Sequence, residues 1–465
     1  MSNYIVIDSI IFIVSNLILG IYVFKNKKLN LKEKIAYTIF FIILNSSYNI
    51  MMKTVHDYNK VIPRTFIYRE KLIGSFTLLD IVCILFIIVN IKYFFRIIKN
   101  KFIFVHVIRC VGLYIIGVIS FLWFNGYWMD NGNRFLTSSK GWVYSIATLI
   151  FTFKYMNKNI NLICPFAIIL LNGMISTFFV PLNEIWVRYG NRVVIIDQED
   201  ATTISNFVII FLIVKCLYVK DKNKLHRIVN VFMLLIFLFQ NLYCIYKTNL
   251  IVLAVGFVLY LILSKGKNQI IMLSTVLGIP SILIVFWNKI YELINSVAIN
   301  TRQSQFSDYL YYIKEEGIYP YLLGTGISTP YYSNTDTEDT GERKLILTAN
   351  QYASQWRTDI QTPIISIFKD SGLVGLLYFF VTTLYLVIKT FNILKDLFNS
   401  KIEKDYLFTE TIGIGIILLI ETIYSIFLYG GTLPFCIFYT FCLAKFVINY
   451  KKIKEKEQKN EDINN

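Results

Sequence analysis

The chain has 465 residues, 55% of them hydrophobic and only 16% charged, with a mean hydropathy of +0.55. That balance excludes an ordinary soluble domain and leaves a membrane-embedded chain. The formal charge of +16 does not point to nucleic acid, because the basic residues fall in short clusters between apolar runs and therefore mark topology.

A helix needs about 20 apolar residues to cross a bilayer. Runs of that order occupy residues 4–24, 36–52, 73–93, 103–123, 142–156, 160–180, 203–219, 228–246, 248–264, 269–288, 371–389, 407–428 and 433–450. They predict an all-α, polytopic membrane bundle of about 13 spans. The first run lacks a basic leader and a small-residue cleavage site, so it reads as a retained helix. Lys and Arg concentrate in alternate connections, among them 25–34, 92–101, 220–227 and the segment after residue 450. The positive-inside rule then expects a plasma-membrane protein with a cytoplasmic carboxyl terminus and an amino terminus outside. Residues 451–465, rich in Lys, Glu and Asn, are expected to form a disordered, lipid-facing basic tail.

The expected organisation is ten spans over 1–287, one extracytoplasmic loop over 288–370, three spans over 371–450, and the cytoplasmic tail. The loop is far longer than any other connection, and loops of that length are functional or disordered. In it, 306–316 has amphipathic spacing stopped by Gly317, and Tyr319, Tyr321, Tyr331, Tyr332, Tyr352 and Trp356 supply aromatic mass. Order is expected at its two ends and mobility over 333–343. No internal repeat is visible, which counts against a transporter built of two halves.

The seven cysteines all lie in apolar segments without metal-ligand spacing, and the three histidines are scattered. Neither a disulfide framework nor a metal site follows, and no cofactor is expected.

Charges inside the spans are expensive and need a reason. Lys215 and Lys445 lie near cytoplasmic helix ends and are expected to snorkel. Arg109 has His106 three residues earlier on the same face, which suits snorkelling or a structural pair. Asp80 and Glu421 are acidic and fall in the outer halves of their helices; each reads either as a structural ion pair or as part of an outward-facing site. A polar hairpin around Lys247 reads as a solvated tip or as a cation held against an anionic head group.

The loop holds the sharpest pattern. It opens with Asn300-Thr301-Arg302, continues to Leu322-Leu323-Gly324-Thr325-Gly326, and closes with Trp356-Arg357-Thr358-Asp359 ahead of Thr362-Pro363. Thr-Pro is a helix start and Gly372 a stop, so Arg357 and Asp359 sit just before a helix amino terminus. Arginine forks and a helix amino terminus suit a pyrophosphate, while a carboxylate suits deprotonation of a sugar hydroxyl.

With the Lys369-Asp370-Ser371-Gly372-Leu373-Val374-Gly375-Leu376 lead into the next helix, this arrangement resembles the O-antigen polymerase and O-antigen ligase superfamily over residues 296–380, and most closely its oligosaccharide repeat-unit polymerases. The resemblance implies a GT-C-type membrane glycosyltransferase architecture. It implies that Arg302 contacts a pyrophosphate or glycan, that Gly324 and Gly326 make a tight backbone turn, and that Gly372 and Gly375 are packing positions. The ligase branch usually carries a His-Asn pair where this chain has Thr358-Asp359, so Asp359 is the local candidate for a base.

The expected function is polymerisation of polyprenyl-pyrophosphate-linked repeats into a capsule or O-antigen at the outer membrane face. Arg302, Asp359 and Arg357 would be catalytic, and Lys247, Arg188, Arg192, Gly324, Gly326 and Glu421 would bind substrate. Its partners would be the lipid-linked oligosaccharide, membrane lipids, and a chain-length regulator and flippase of the same pathway. The alternatives are a lipid-linked oligosaccharide flippase or transporter, a ligase-like glycan transferase, and an assembly scaffold.

Overall fold

The computed structural model describes residues 3–46, 66–74, 76–125, 132–178, 199–218, 224–243, 298–327, 329–332, 356–357, 360, 363–400, 405–424 and 433–464. Helices dominate, with little sheet. In order they are α1 (Asn3–Phe24), α2 (Leu31–Ser46), α3 (Phe66–Arg69), a two-stranded hairpin of β1 (Lys71–Ile73) and β2 (Phe76–Thr77), α4 (Leu78–Val89), α5 (Ile91–Ile97), α6 (Lys101–Asn125), α7 (Gly132–Tyr155), α8 (Ile163–Phe178), α9 (Glu199–Tyr218) and α10 (Lys224–Tyr243). After these come α11 (Ala298–Ile313), α12 (Tyr319–Leu323), the paired strands β3 (Tyr331–Tyr332) and β4 (Trp356–Arg357), α13 (Pro363–Asn399), α14 (Tyr406–Tyr424) and α15 (Leu433–Asn464).

Among the described residues, three helical segments are long and apolar enough to cross a bilayer: Val6–Phe24, Lys101–Phe124 and Ile364–Asn399. The pair α4 and α5 makes a fourth if its 76° bend lies within one span. Shorter apolar helices at Ile163–Gly173, Ile204–Cys216 and Ile228–Leu238 extend the apolar character through the bundle. The chain is thus a mostly helical protein built for a membrane. The expected runs at 248–264 and 269–288 lie outside the described residues.

Helices begin where the sequence supplies caps. Asn30 and Glu33 exchange hydrogen bonds with each other's backbone N–H, at 2.8 and 2.9 Å, so α2 starts in a polar lead-in before its apolar run. Thr77 and Asp80 form the same box at the start of α4. The single span expected over 73–93 therefore resolves into a hairpin, a capped helix and a bend at Asn90. The local chemistry of Thr77, Asp80 and Asn90 overrides continuous hydrophobicity.

In lipid, helix association rests on packing and interhelical hydrogen bonds rather than on escape from water. Both are present. Where α2, α8, α9 and α15 meet, Phe166 stands edge-on to Phe41, Phe207 and Phe438, its centroid 5.4 Å from that of Phe438. Asn45 ties three helices, donating to Ser15 Oγ at 2.8 Å and accepting from Asn172.

Two long helices frame the loop. Down α6, Lys101 faces Tyr385, Arg109 reaches Thr383 and Gly112 faces Tyr378. Partner numbers fall as α6 numbers rise, so α6 and α13 are antiparallel, with Gly117–Phe121 and residues 369–372 at a common end. We call this the loop end. The opposite, tail end carries Lys158 and Lys452.

The expected disordered tail is corrected: α15 continues without a break to Asn464. Lys451–Glu455 and Lys454–Glu457 pairs brace successive turns, and Lys456 reaches Asp405 at 2.9 Å. Lys and Glu are good helix formers, and extending a membrane helix avoids the cost of a new nucleus.

Candidate functional site

The described parts of the long loop fold down onto the loop end of α6 and α13. The amphipathic stretch forms α11, and Gly317 beyond it has the left-handed φ of +79°. α12 then leads into a turn at Gly324, whose φ is +78°. A Cβ on Gly324 would lie 2.5 Å from the backbone N of Ser371. Gly372, with φ +61°, breaks α13 at that contact, and a Cβ there would collide with the carbonyl of Leu322. Two glycine backbones pack against each other because neither carries a side chain. Gly326 presses in the same way on the backbone of Phe121 in α6. Both expectations for this region hold in geometry: Gly324 and Gly326 make a tight turn, and Gly372 ends a short helix starting at Pro363.

Backbone hydrogen bonds fix the turn. Thr325 N–H donates to the Lys369 carbonyl at 2.7 Å, and Ile327 N–H to the Gly117 carbonyl at 3.1 Å. The Lys369 carbonyl also accepts from Thr325 Oγ1 and Tyr309 Oη, both at 3.2 Å. It is available because the break at Gly372 carries away its α-helical donor, the N–H of Leu373 four residues on. The Lys369 ammonium, fully buried, lies 2.8 Å from Asp370 Oδ1 and 3.4 Å from the Gly326 carbonyl. Burial pushes the Tyr309 phenol above its ordinary pKa, so it stays a donor.

A small core joins the loop's two ends. Tyr309, Ile313, Tyr331 and Ile360 are buried together, with Phe368 packed against them. Tyr309 meets Tyr331 and Phe368 edge-on at 5.7 and 6.2 Å. Strands β3 and β4 are antiparallel with Tyr331 opposite Arg357. The middle of α11, β3 and the residues on either side of position 359 thus form one unit.

No protein-family model matches the chain. A search of characterised proteins finds no significant relative. The arrangement therefore has to be read on its own chemistry.

Of the expected site residues, Arg302 lies in α11 seven positions before Tyr309, and so on the same helix face by register. Arg357 lies in β4, beside Tyr331. Both thus belong to the unit that carries the Tyr309 core. Lys247, Arg188, Arg192 and Asp359 lie outside the described residues, Asp359 immediately before the buried Ile360. Glu421 is buried in α14, next to Thr422, which bonds Tyr439 at 2.5 Å. Tyr439 stacks beside His106, which is roughly 16 Å along α6 from Gly117. Glu421 is therefore a residue of the bundle interior rather than of the loop assembly.

The other intramembrane charges resolve as follows. Asp80 is 2.6 Å from Lys140, accepts from Tyr144 and caps α4, which is the structural ion pair of the two readings weighed for it. Arg109 is buried and reaches Thr383 at 3.4 Å, and His106 reaches Ser145 at 3.4 Å. Lys445 does not snorkel. It is fully buried and donates to the Met156 and Lys158 carbonyls at 3.1 and 3.3 Å and to Tyr37 Oη at 3.3 Å. The free carbonyls past the end of α7 give its ammonium a nearer destination than the membrane surface.

Sequence reasoning passed over Lys369, Asp370 and Tyr309. The available signal was a Lys-Asp pair set into an apolar helix lead-in, where charge demands a partner.

Proposed function

We propose that this protein is a membrane glycosyltransferase of the GT-C kind, with about 13 spans, that polymerises polyprenyl-pyrophosphate-linked repeat units outside the plasma membrane. The observation that carries the reading is the folded loop assembly. Positions 302 and 357 share a unit with the Tyr309 core, and that unit is clamped to the membrane helices through Thr325, Lys369 and Gly324. Cations on a preorganised loop at the mouth of a bundle suit a lipid-borne diphosphate, whose head group arrives at that depth.

In this reading the donor enters laterally from the outer leaflet. Arg302 and Arg357, with Lys247, Arg188 and Arg192, neutralise its pyrophosphate. An acceptor hydroxyl on a second lipid-linked repeat attacks the anomeric carbon and gives its proton to Asp359, while the bond to pyrophosphate breaks and polyprenyl pyrophosphate leaves. Pyrophosphate is a good leaving group, so cationic stabilisation carries the departure.

The test is purified protein mixed with a polyprenyl-linked repeat and no nucleotide sugar. A ladder of products supports polymerisation, and unchanged repeat overturns it. A second reading, a lipid-linked oligosaccharide flippase, draws on buried Arg109, His106 and Glu421, because charge inside a bundle can line a pathway. Arg302→Ala separates the readings in cells: single repeats support the polymerase, repeats trapped on the cytoplasmic side support the flippase, and unchanged polymer favours a scaffold.

A further inference from the structure

At the tail end, far from the loop assembly, α14 and α15 bring Glu410 and Asn449 together. Both are fully buried, at 0% exposure. Asn449 Nδ2 donates to Glu410 Oε1 at 2.9 Å. The remaining oxygen of each, Glu410 Oε2 and Asn449 Oδ1, is buried without a hydrogen-bond partner among the described residues.

Among the described residues, the hydroxyl and ammonium groups around Glu410 have other acceptors at hydrogen-bond distance. Lys445 spends its three protons on Met156, Lys158 and Tyr37; it feels the Glu410 charge without reaching ion-pair distance. Tyr406, one turn before Glu410 on α14 and in contact with its carboxyl group, has a single proton, which goes to Asn161 Oδ1 at 3.1 Å, and Tyr22 of α1 donates to the Asn161 carbonyl. Tyr37 of α2 donates to the carbonyls of Met156 and Lys158, and Lys452 to Asn157 and Asn159. Cys442 of α15, Cys164 of α8 and Glu33 of α2 are further titratable groups among the described residues around this cluster. Turning the Asn449 amide over does not change the count, because the amide still brings one NH2 and one oxygen to a carboxyl group with two.

A carboxylate and an amide oxygen, both acceptors, cannot satisfy each other. A carboxylic acid can: its O–H on Oε2 donates to Asn449 Oδ1 while Oε1 keeps the Nδ2 bond, closing a ring of two hydrogen bonds. We propose that Glu410 and Asn449 form a proton-binding site, an acid–amide pair closed by a single proton inside the membrane bundle.

The site is also a latch. When the proton leaves, two buried acceptors repel, and the carboxylate gains by turning to the Lys445 ammonium. That ammonium holds α15 against α2 and the end of α7. Proton loss therefore loosens the tail end of the bundle, and proton binding closes it.

The test uses the full chain in nanodiscs. At neutral pH, difference infrared spectroscopy of wild type against Glu410→Gln is expected to show a protonated carboxyl C=O stretch that the variant lacks. Glu410→Gln replaces the acid proton by an amide proton, so it should melt with the wild type. Absence of the band, or a Glu410→Gln protein that melts lower or fails to fold, means an ionised carboxylate and overturns the proposal. Asn449→Leu should move the band to higher frequency; an unmoved band overturns the pairing. A wild-type melting point that rises with added sodium chloride but not with choline chloride points to a bound cation in place of the proton, and also overturns it.

Discussion

Gly324 and Gly372 meet backbone to backbone, each in the left-handed region, at φ +78° and +61°. One ends the short helix of the loop and the other breaks the long membrane helix, so the loop is docked by two chain interruptions that fit each other.

Replacing either glycine by alanine should undock the loop. Each substitution adds a methyl group into backbone and forces a non-glycine residue into left-handed φ, at a cost of about 1–3 kcal/mol or more. The double variant should lose less than the sum, since both act on one contact. Thermal melts of the four proteins in detergent check this; strict additivity would mean that the two positions act separately.

Lys369→Met should be among the more damaging changes at the loop end. It removes the ammonium from a buried Asp370 and from the Gly326 carbonyl. Breaking a buried pair by deleting one partner costs about 3–5 kcal/mol. Combining it with Asp370→Leu should recover part of the loss, measured as denaturant midpoints.

Tyr309→Phe should cost about 0.5–1.5 kcal/mol, the worth of its hydrogen bond to the Lys369 carbonyl. Tyr309→Ala, which also empties the Tyr331 and Phe368 contacts, should cost about 3–5 kcal/mol. Because burial raises the Tyr309 pKa, its contribution is complete below the ordinary tyrosine value and is lost as pH climbs through the raised one. The phenylalanine variant should therefore lose less stability than wild type at strongly alkaline pH, read from melts across that range.

Arg302→Ala and Arg357→Ala should each lower the polymerisation rate by about 10²–10³-fold, the loss typical of deleting one preorganised electrostatic contact. Melting points should stay within a few degrees. Product ladders over time measure the first and circular dichroism the second; equal rates with and without the arginines would remove the pyrophosphate role.

Asp80→Asn should destabilise without touching polymerisation, because Asp80 serves the Thr77 cap, Lys140 and Tyr144. A loss of about 1 kcal/mol or more is expected from the cap alone. Polymer yield at matched protein level is the readout.

Much of the helical pattern was legible because apolar run length and caps are local properties. The α11 stop at Gly317 and the short helix from Pro363 to Gly372 were readable for the same reason. Lys445 misled because a lysine near a helix end looks free to snorkel, and only the neighbouring end of α7 offers it carbonyls. The 451–464 helix was missed because charge composition says little once a helix is already nucleated upstream.

By itself, then, the sequence determined a membrane-bound helical chain with one large loop, since hydrophobic length and turn chemistry act over a few residues at a time. Which residues of that loop meet was decided only in three dimensions. Tyr331 reaches Arg357 across 25 intervening positions, and Lys369 reaches Gly326 across 42. The second contact lies where two positive-φ glycines, Gly324 and Gly372, meet backbone to backbone, a coincidence that no local pattern encodes.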